Sequence, residues 1–221
     1  MNDKKKRSYQ GVIVPMLTPF MANGHIDKIS AGKLIKYLIE KGTIPFILGT
    51  TGEVYSIASA ERDVLVSVLL ENRKEDIPLL VGMGGLTFND TISLSNQYFE
   101  WGIDAVVLTL PGYFILNDDQ VYHYFYELAK NIKGDIILYN IPATTYNSLS
   151  VEVVDKLSRL ENIIGIKDSE FDEHRMVRSL DLWRKRDDFF YLVGVHETMP
   201  KGLALGASGV GSAPTWTTRQ R

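Results

Sequence analysis

Eight short apolar runs divide this chain, and a longer amphipathic stretch follows most of them. The runs begin as "GVIVPMLT" at Gly11, "IPFILGT" at Ile44, "IPLLVGMG" at Ile77 and "DAVVLTL" at Asp104. They continue as "DIILYNIP" at Asp135, "NIIGIK" at Asn162, "FFYLVGV" at Phe189 and "SGVGSA" at Ser208. Their apolar residues are continuous rather than alternating. A strand with one wet face alternates, whereas a strand covered on both faces does not. The stretches between them carry helical periodicity. "ISAGKLIKYLIEKG" sets Leu34, Ile35, Leu38 and Ile39 on one face and stops at Gly42, a glycine suited to a helix C-terminus. "DTISLSNQYFEWG" and "DDQVYHYFYELAKNIKG" repeat the pattern and stop at Gly102 and Gly134.

Strand, helix, strand, repeated eight times, describes a parallel sheet covered by helices. It closes either as a (β/α)8 TIM barrel or as an open doubly wound sheet, and eight similar units favour the barrel. No long linker or break in composition divides it, so residues 11–221 form one domain. Residues 1–10, with the basic run "KKKR", read as a flexible, solvated N-terminus. Such barrels typically need about 250 residues. This chain has 221, so the barrel is expected to be truncated after strand eight. A net charge of −3 offers no electrostatic case for nucleic acid or an anionic membrane. The absence of cysteine excludes disulfides, thiolate metal sites and a cysteine nucleophile, and it fits a cytoplasmic protein. The apolar runs are too short to span a bilayer.

Chemistry in such a barrel is expected at the C-terminal ends of the strands. Lys167 ends the sixth, Tyr139 the fifth, and "GTTGE" (Gly49 to Glu53) the second. Tyr113 follows the fourth strand and Gly194 to Glu197 the seventh. A strand-end lysine often points into water, but neighbours on strands five and seven would partly enclose this one. Withdrawal from water disfavours an ammonium and leaves some free amine near neutral pH. A free amine condenses with a ketone, and the resulting iminium is an electron sink for making or breaking the adjacent carbon–carbon bond. A tyrosine hydroxyl one strand away can shuttle the protons. The "GTTGE" turn offers two hydroxyls and closely spaced backbone N–H groups to an anion. Other segments carry no such chemistry. "GMGGLT" (Gly82 to Thr87) is a tight turn rather than a nucleotide fingerprint. The four histidines lack metal-ligand spacing, and the aromatic-rich "YHYFYEL" suits a core or a subunit contact.

Three of these stretches, "ILGTTGE", "LYNIPATT" and "IIGIKDS", resemble the signature regions of the dihydrodipicolinate synthase and N-acetylneuraminate lyase family. The opening "GVIVPMLTPFMANGHID" and the "GMGG" after strand three are similar too, so the resemblance runs from about Gly11 to Trp216. It implies a pyruvate-dependent class I aldolase, without cofactor or metal, usually a homotetramer. The family's Schiff-base lysine falls on Lys167 and its catalytic tyrosine on Tyr139. Its carboxylate-binding pair falls on Thr50 and Thr51, beside Gly49. A second tyrosine, lent by a neighbouring subunit to a Tyr–Thr–Tyr relay, matches Tyr113. Ser169 and Gly194 match pocket positions, and Glu197 and Ser212 look like the lyase branch, where such residues meet sugar hydroxyls. The synthase branch usually carries an arginine where this chain has Thr144. The resemblance therefore implies cleavage of a 2-keto-3-deoxy sugar acid or an N-acetylneuraminate-like substrate, with hydroxyls from Thr144, Thr145 and Tyr146. The alternatives are 4-hydroxy-tetrahydrodipicolinate synthase, joining pyruvate to aspartate semialdehyde, and an inactive truncated relative. The family's further C-terminal helices are expected to be missing, since the chain stops at "SAPTWTTRQR".

Overall fold

The computed structural model describes residues 9–211. Eight parallel strands close into a barrel in sequence order, β8 pairing back onto β1. They are β1 (Gly11–Pro15), β2 (Ile44–Ile47), β3 (Leu80–Gly82), β4 (Ala105–Thr109), β5 (Asp135–Asn140), β6 (Ile163–Asp168), β7 (Phe190–Val193) and β8 (Gly209–Val210). Helices α1 (Lys28–Glu40), α2 (Ser59–Glu71), α3 (Phe88–Trp101) and α4 (Asp118–Asn131) cover the first half. The one-turn α5 (Pro142–Thr145) follows, then α6 (Val151–Leu157), α7 (Glu173–Trp183) and α8 (Met199–Ala204). The barrel is the fold expected from the alternation of runs.

Local chemistry sets the helix ends. Asp27 caps α1 by accepting from the Ser30 amide at 3.0 Å. Asn117 and Gln120 form a reciprocal capping box on α4. Gly42 and Gly102 take the left-handed conformations that end α1 and α3. Gly134 does not end a helix, contrary to the expectation: α4 stops at Asn131, and Ile132 is already extended. Gly134 instead gives room to the Phe99 ring, which a Cβ there would approach to 2.3 Å.

Two apolar layers result. The larger lies between sheet and helices and includes Ile35, Leu65, Val106, Phe125 and Trp183. The smaller fills the barrel and includes Ile13, Phe46, Leu80, Val107, Ile137 and Phe190. Tyr9 belongs to this inner layer, although the sequence places it in the solvated terminal segment. Its ring stacks on Phe190 and its hydroxyl donates to the Asp104 carbonyl and the Asp135 carboxylate, at 3.0 and 3.1 Å. A large amphipathic ring can thus cap the N-terminal end of the barrel with its polar tip satisfied. Ser212 and the chain's last residues lie outside the described residues. No described helix is long and apolar enough to cross a membrane.

Two glycines test this packing in opposite directions. A Cβ at Gly82 would sit 2.1 Å from the Leu48 carbonyl, backbone that cannot swing aside. Gly82→Ala should destabilise the fold by about 1–3 kcal/mol, as overpacking does. A Cβ at Gly32, inside α1, would meet only ordinary contacts with Asn72 and Val68, at 3.5 and 3.7 Å. Gly32→Ala should therefore stabilise by roughly 0.5–1 kcal/mol. Urea unfolding of both variants checks the two signs.

Candidate active site

Side chains of a strand alternate between the two faces of its sheet. β5 and β6 pair with Tyr139 opposite Lys167 and Asn140 opposite Asp168. The first pair points into the barrel and the second toward the helices. Lys167 and Tyr139 are each 5% exposed. The Lys167 ammonium lies 4.1 Å from the centre of the Tyr139 ring and 5.2 Å from that of Phe46. Its stem runs beside Gly211, where a Cβ would come within 3.3 Å of Cε. The ammonium is thus sheltered by π faces, which hold a desolvated cation well.

Three side chains converge on the Tyr139 hydroxyl. Burial pushes its pKa up, but the Lys167 charge and hydrogen bonds with Lys167, Ser169 and Thr50 pull harder, so it falls below the ordinary tyrosine value. Lys167, Tyr139, Thr50 and Ser169 therefore form one cluster. Gly194 belongs with it for a steric reason: a Cβ there would sit 2.1 Å from the Ser169 hydroxyl. Gly49 leaves space for the Phe46 ring, at 3.0 Å from a would-be Cβ. Thr51 is half-buried in the same turn. Gly52 is held from below, its carbonyl accepting from the buried Thr18 hydroxyl at 2.7 Å.

Other candidates stand apart. Tyr113 is 88% exposed and packs edge-on against Phe114, away from Lys167 within this chain. Glu197 is exposed in the short turn His196–Thr198 after β7. Thr145 is buried, and its hydroxyl donates to the Asn147 and Ile141 carbonyls at 2.9 and 3.1 Å. It is therefore committed to closing α5 and is not offered to a substrate. Among the described residues, no group of three or more histidine or carboxylate side chains is placed to hold a metal. A cavity of about 560 Å³, bordered by Tyr9, Asn162 and Phe190, lies at the opposite end of the barrel.

The outward pair went unassigned by sequence reasoning. The Asp168 carboxylate accepts from Asn140 at 2.8 Å, Arg175 at 2.7 Å and Tyr191 at 3.3 Å. Burial, then the Asp168 charge, raises the pKa of Tyr191 and keeps it a donor. Asn140 also accepts from the Leu149 amide at 3.0 Å. The signal was available: the alternation that turns Tyr139 and Lys167 inward turns Asn140 and Asp168 outward together.

A parallel barrel with a sheltered lysine and an engaged tyrosine at the C-terminal strand ends is the framework of a Schiff-base lyase, a class I aldolase. The chain belongs to the dihydrodipicolinate synthetase family, whose sequence profile matches residues 8–218. Members of the family are lyases that use a Schiff base with pyruvate, and this chain is an enzyme of that class. It is 33% identical over 202 residues to a 4-hydroxy-tetrahydrodipicolinate synthase of Buchnera aphidicola subsp. Baizongia pistaciae, spanning 91% of this chain and 68% of that one. A dihydrodipicolinate synthase from Bacillus anthracis superposes with a TM-score of 0.86 at 32% identity, over 93% of this chain and 70% of that one. A family member encoded by a prophage of E. coli K12, solved in complex with pyruvate, gives 0.87 at 30% identity, over 92% and 70%.

The Tyr139 environment sets a sign for pH dependence. An unfolded tyrosine titrates near about 10, and the folded hydroxyl lies lower. The stability this group confers is absent below its folded pKa, grows with pH between that value and about 10, and is complete above. The gap in unfolding free energy between the native chain and Tyr139→Phe should therefore widen from pH 7 toward 10. A gap that narrows would reverse the assignment.

Proposed function

We propose that Lys167 condenses with the keto carbon of pyruvate, or of a keto acid that yields pyruvate, and that Tyr139 carries protons to and from the reacting atoms. The observation that carries this reading is the Lys167 ammonium sheltered on the Tyr139 ring, whose hydroxyl is engaged by Lys167, Thr50 and Ser169. The neutral amine attacks C2, water leaves, and the protonated imine accepts the electrons of the breaking C3–C4 bond. Thr50 and Thr51, with the amides of their turn, hold the pyruvyl carboxylate. Tyr113, exposed with Phe114 and Ile115 beside it, extends the proton relay of a neighbouring subunit in a homo-oligomer.

The partner substrate follows from what stands beyond β5. Residues 141–147 contain no arginine, and Thr144 occupies the place where a guanidinium would grip a second carboxylate. Thr144 and Tyr146 are exposed there, and Glu197 is exposed after β7. This favours aldol cleavage of a 2-keto-3-deoxy sugar acid, sialic-acid-like or smaller. The second reading is condensation of pyruvate with aspartate semialdehyde, favoured by the synthase relative at 33% identity.

Borohydride reduction in the presence of pyruvate should add a reduced pyruvyl mass to the peptide bearing Lys167. Lys167→Arg should abolish the adduct, because a guanidinium stays protonated; a label on another lysine would overturn the assignment. Tyr139→Phe should fold but turn over roughly 10²- to 10⁴-fold more slowly. Comparing kcat/KM for N-acetylneuraminate, 2-keto-3-deoxygluconate and aspartate semialdehyde decides the partner. Efficient condensation without sugar-acid cleavage would return the protein to the synthase reading.

A further inference from the structure

Two non-glycine residues in the left-handed region bracket the "GTTG" turn: Leu48 at φ +55° and Glu53 at φ +58°. Such conformations are strained for residues with a side chain and persist only where the surroundings over-determine them. At Leu48 the cause is visible. Its side chain is buried in the outer core, and Gly82 leaves space for its carbonyl. At the other end the chain leaves Glu53 through a single 3₁₀ turn, Val54–Ser56, before α2 begins. Too short to hold itself, this turn is tied down by Arg62.

Arg62 is 5% exposed. Its Nη2 donates to the Val54 carbonyl at 2.8 Å, its Nε to that of Ile57 at 3.1 Å, and its Nη1 to that of Gly84 at 2.9 Å. Among the described residues no carboxylate pairs with it, so three backbone oxygens solvate the whole charge. The first two bind the turn that leaves the β2 loop, and the third binds the loop after β3. That second loop is packed close: a Cβ at Gly85 would lie 2.9 Å from the Tyr55 ring. The β2 loop itself closes inside these anchors. The amides of Gly52 and Val54 return to the Gly49 carbonyl at 3.0 and 3.4 Å, and that of Glu53 to Thr50 at 3.1 Å.

We infer that Arg62 is a positioning residue for the carboxylate-binding turn, fixing the direction of the Thr50 and Thr51 hydroxyls and of the amides beside them. It touches no reacting atom. The inference rests on the reading that this turn receives the carboxylate of pyruvate. A guanidinium reaches three carbonyls from one rigid plane, and an ammonium cannot. Loosening the turn should therefore weaken carboxylate binding while leaving the chemistry at Lys167 and Tyr139 in place.

The test is the pyruvate dependence of borohydride trapping at Lys167, in the native chain, Arg62→Lys and Arg62→Met. The expected result is a tenfold or greater rise in half-saturating pyruvate for both variants, with the maximal trapping rate within about threefold of native. Arg62→Lys keeps charge and length, so it carries the test if Arg62→Met does not fold. An unchanged half-saturation, or a lower maximal rate at unchanged half-saturation, would overturn the inference. A native chain that is not trapped at all would instead overturn the functional reading beneath it, so the two failures are distinct.

Discussion

Lys167 reaches into the barrel from β6 almost out of contact with water, and an ammonium so placed must be compensated. The compensation comes from two ring faces and a hydroxyl rather than from a carboxylate. That choice matters chemically. A ring face shelters a charge without hydrogen-bonding to it, and a neighbouring hydroxyl can both donate and accept a proton. Much nearby structure serves this arrangement. Gly211 clears the lysine stem, Gly194 admits Ser169, and Phe46 floors the pocket.

The opposite face of the same two strands does complementary work. Each inward residue is followed by an outward one that is firmly bonded. Asn140 and Asp168 cross-link β5 and β6 directly behind the Tyr139–Lys167 pair, and Arg175 and Tyr191 extend that link to α7 and β7. The bonds to the buried Asp168 carboxylate fix its direction, although one terminal nitrogen of Arg175 is buried without a hydrogen-bond partner. A slip of one residue would exchange the two faces. The bonds to Asp168 therefore help hold the register that turns Tyr139 and Lys167 into the barrel.

The periodicity of the chain made the barrel legible, because parallel strands buried on both faces leave continuous apolar runs that water-exposed strands do not. Strand-end placement made Lys167, Tyr139 and the "GTTGE" turn legible for the same geometric reason. What stayed hidden were contacts that only closure creates. Tyr9 lies beside a basic stretch, and nothing local marks it as a plug on Phe190. Thr145 looks like one more free hydroxyl until α5 forms and consumes it. Arg62 reads as an ordinary helical charge, since the carbonyls it binds come partly from the loop after another strand. Asn140 and Asp168 sit inside the recognisable stretches, but their role appears only when strand alternation is applied to both strands at once.

Leu48 imposes a last consequence, on the routes by which this loop can vary. Its backbone asks for glycine, while its side chain fills a core position that asks for a large apolar residue. No natural amino acid meets both demands, so leucine is a compromise with no better single replacement. Its carbonyl also occupies the space that a side chain at position 82 would need. Positions 48 and 82 are thereby coupled: while the backbone at 48 keeps this turn, position 82 has no room for a side chain. Substitution at this corner of the site is confined by the backbone itself, whereas the Glu197 side chain is exposed and open to change.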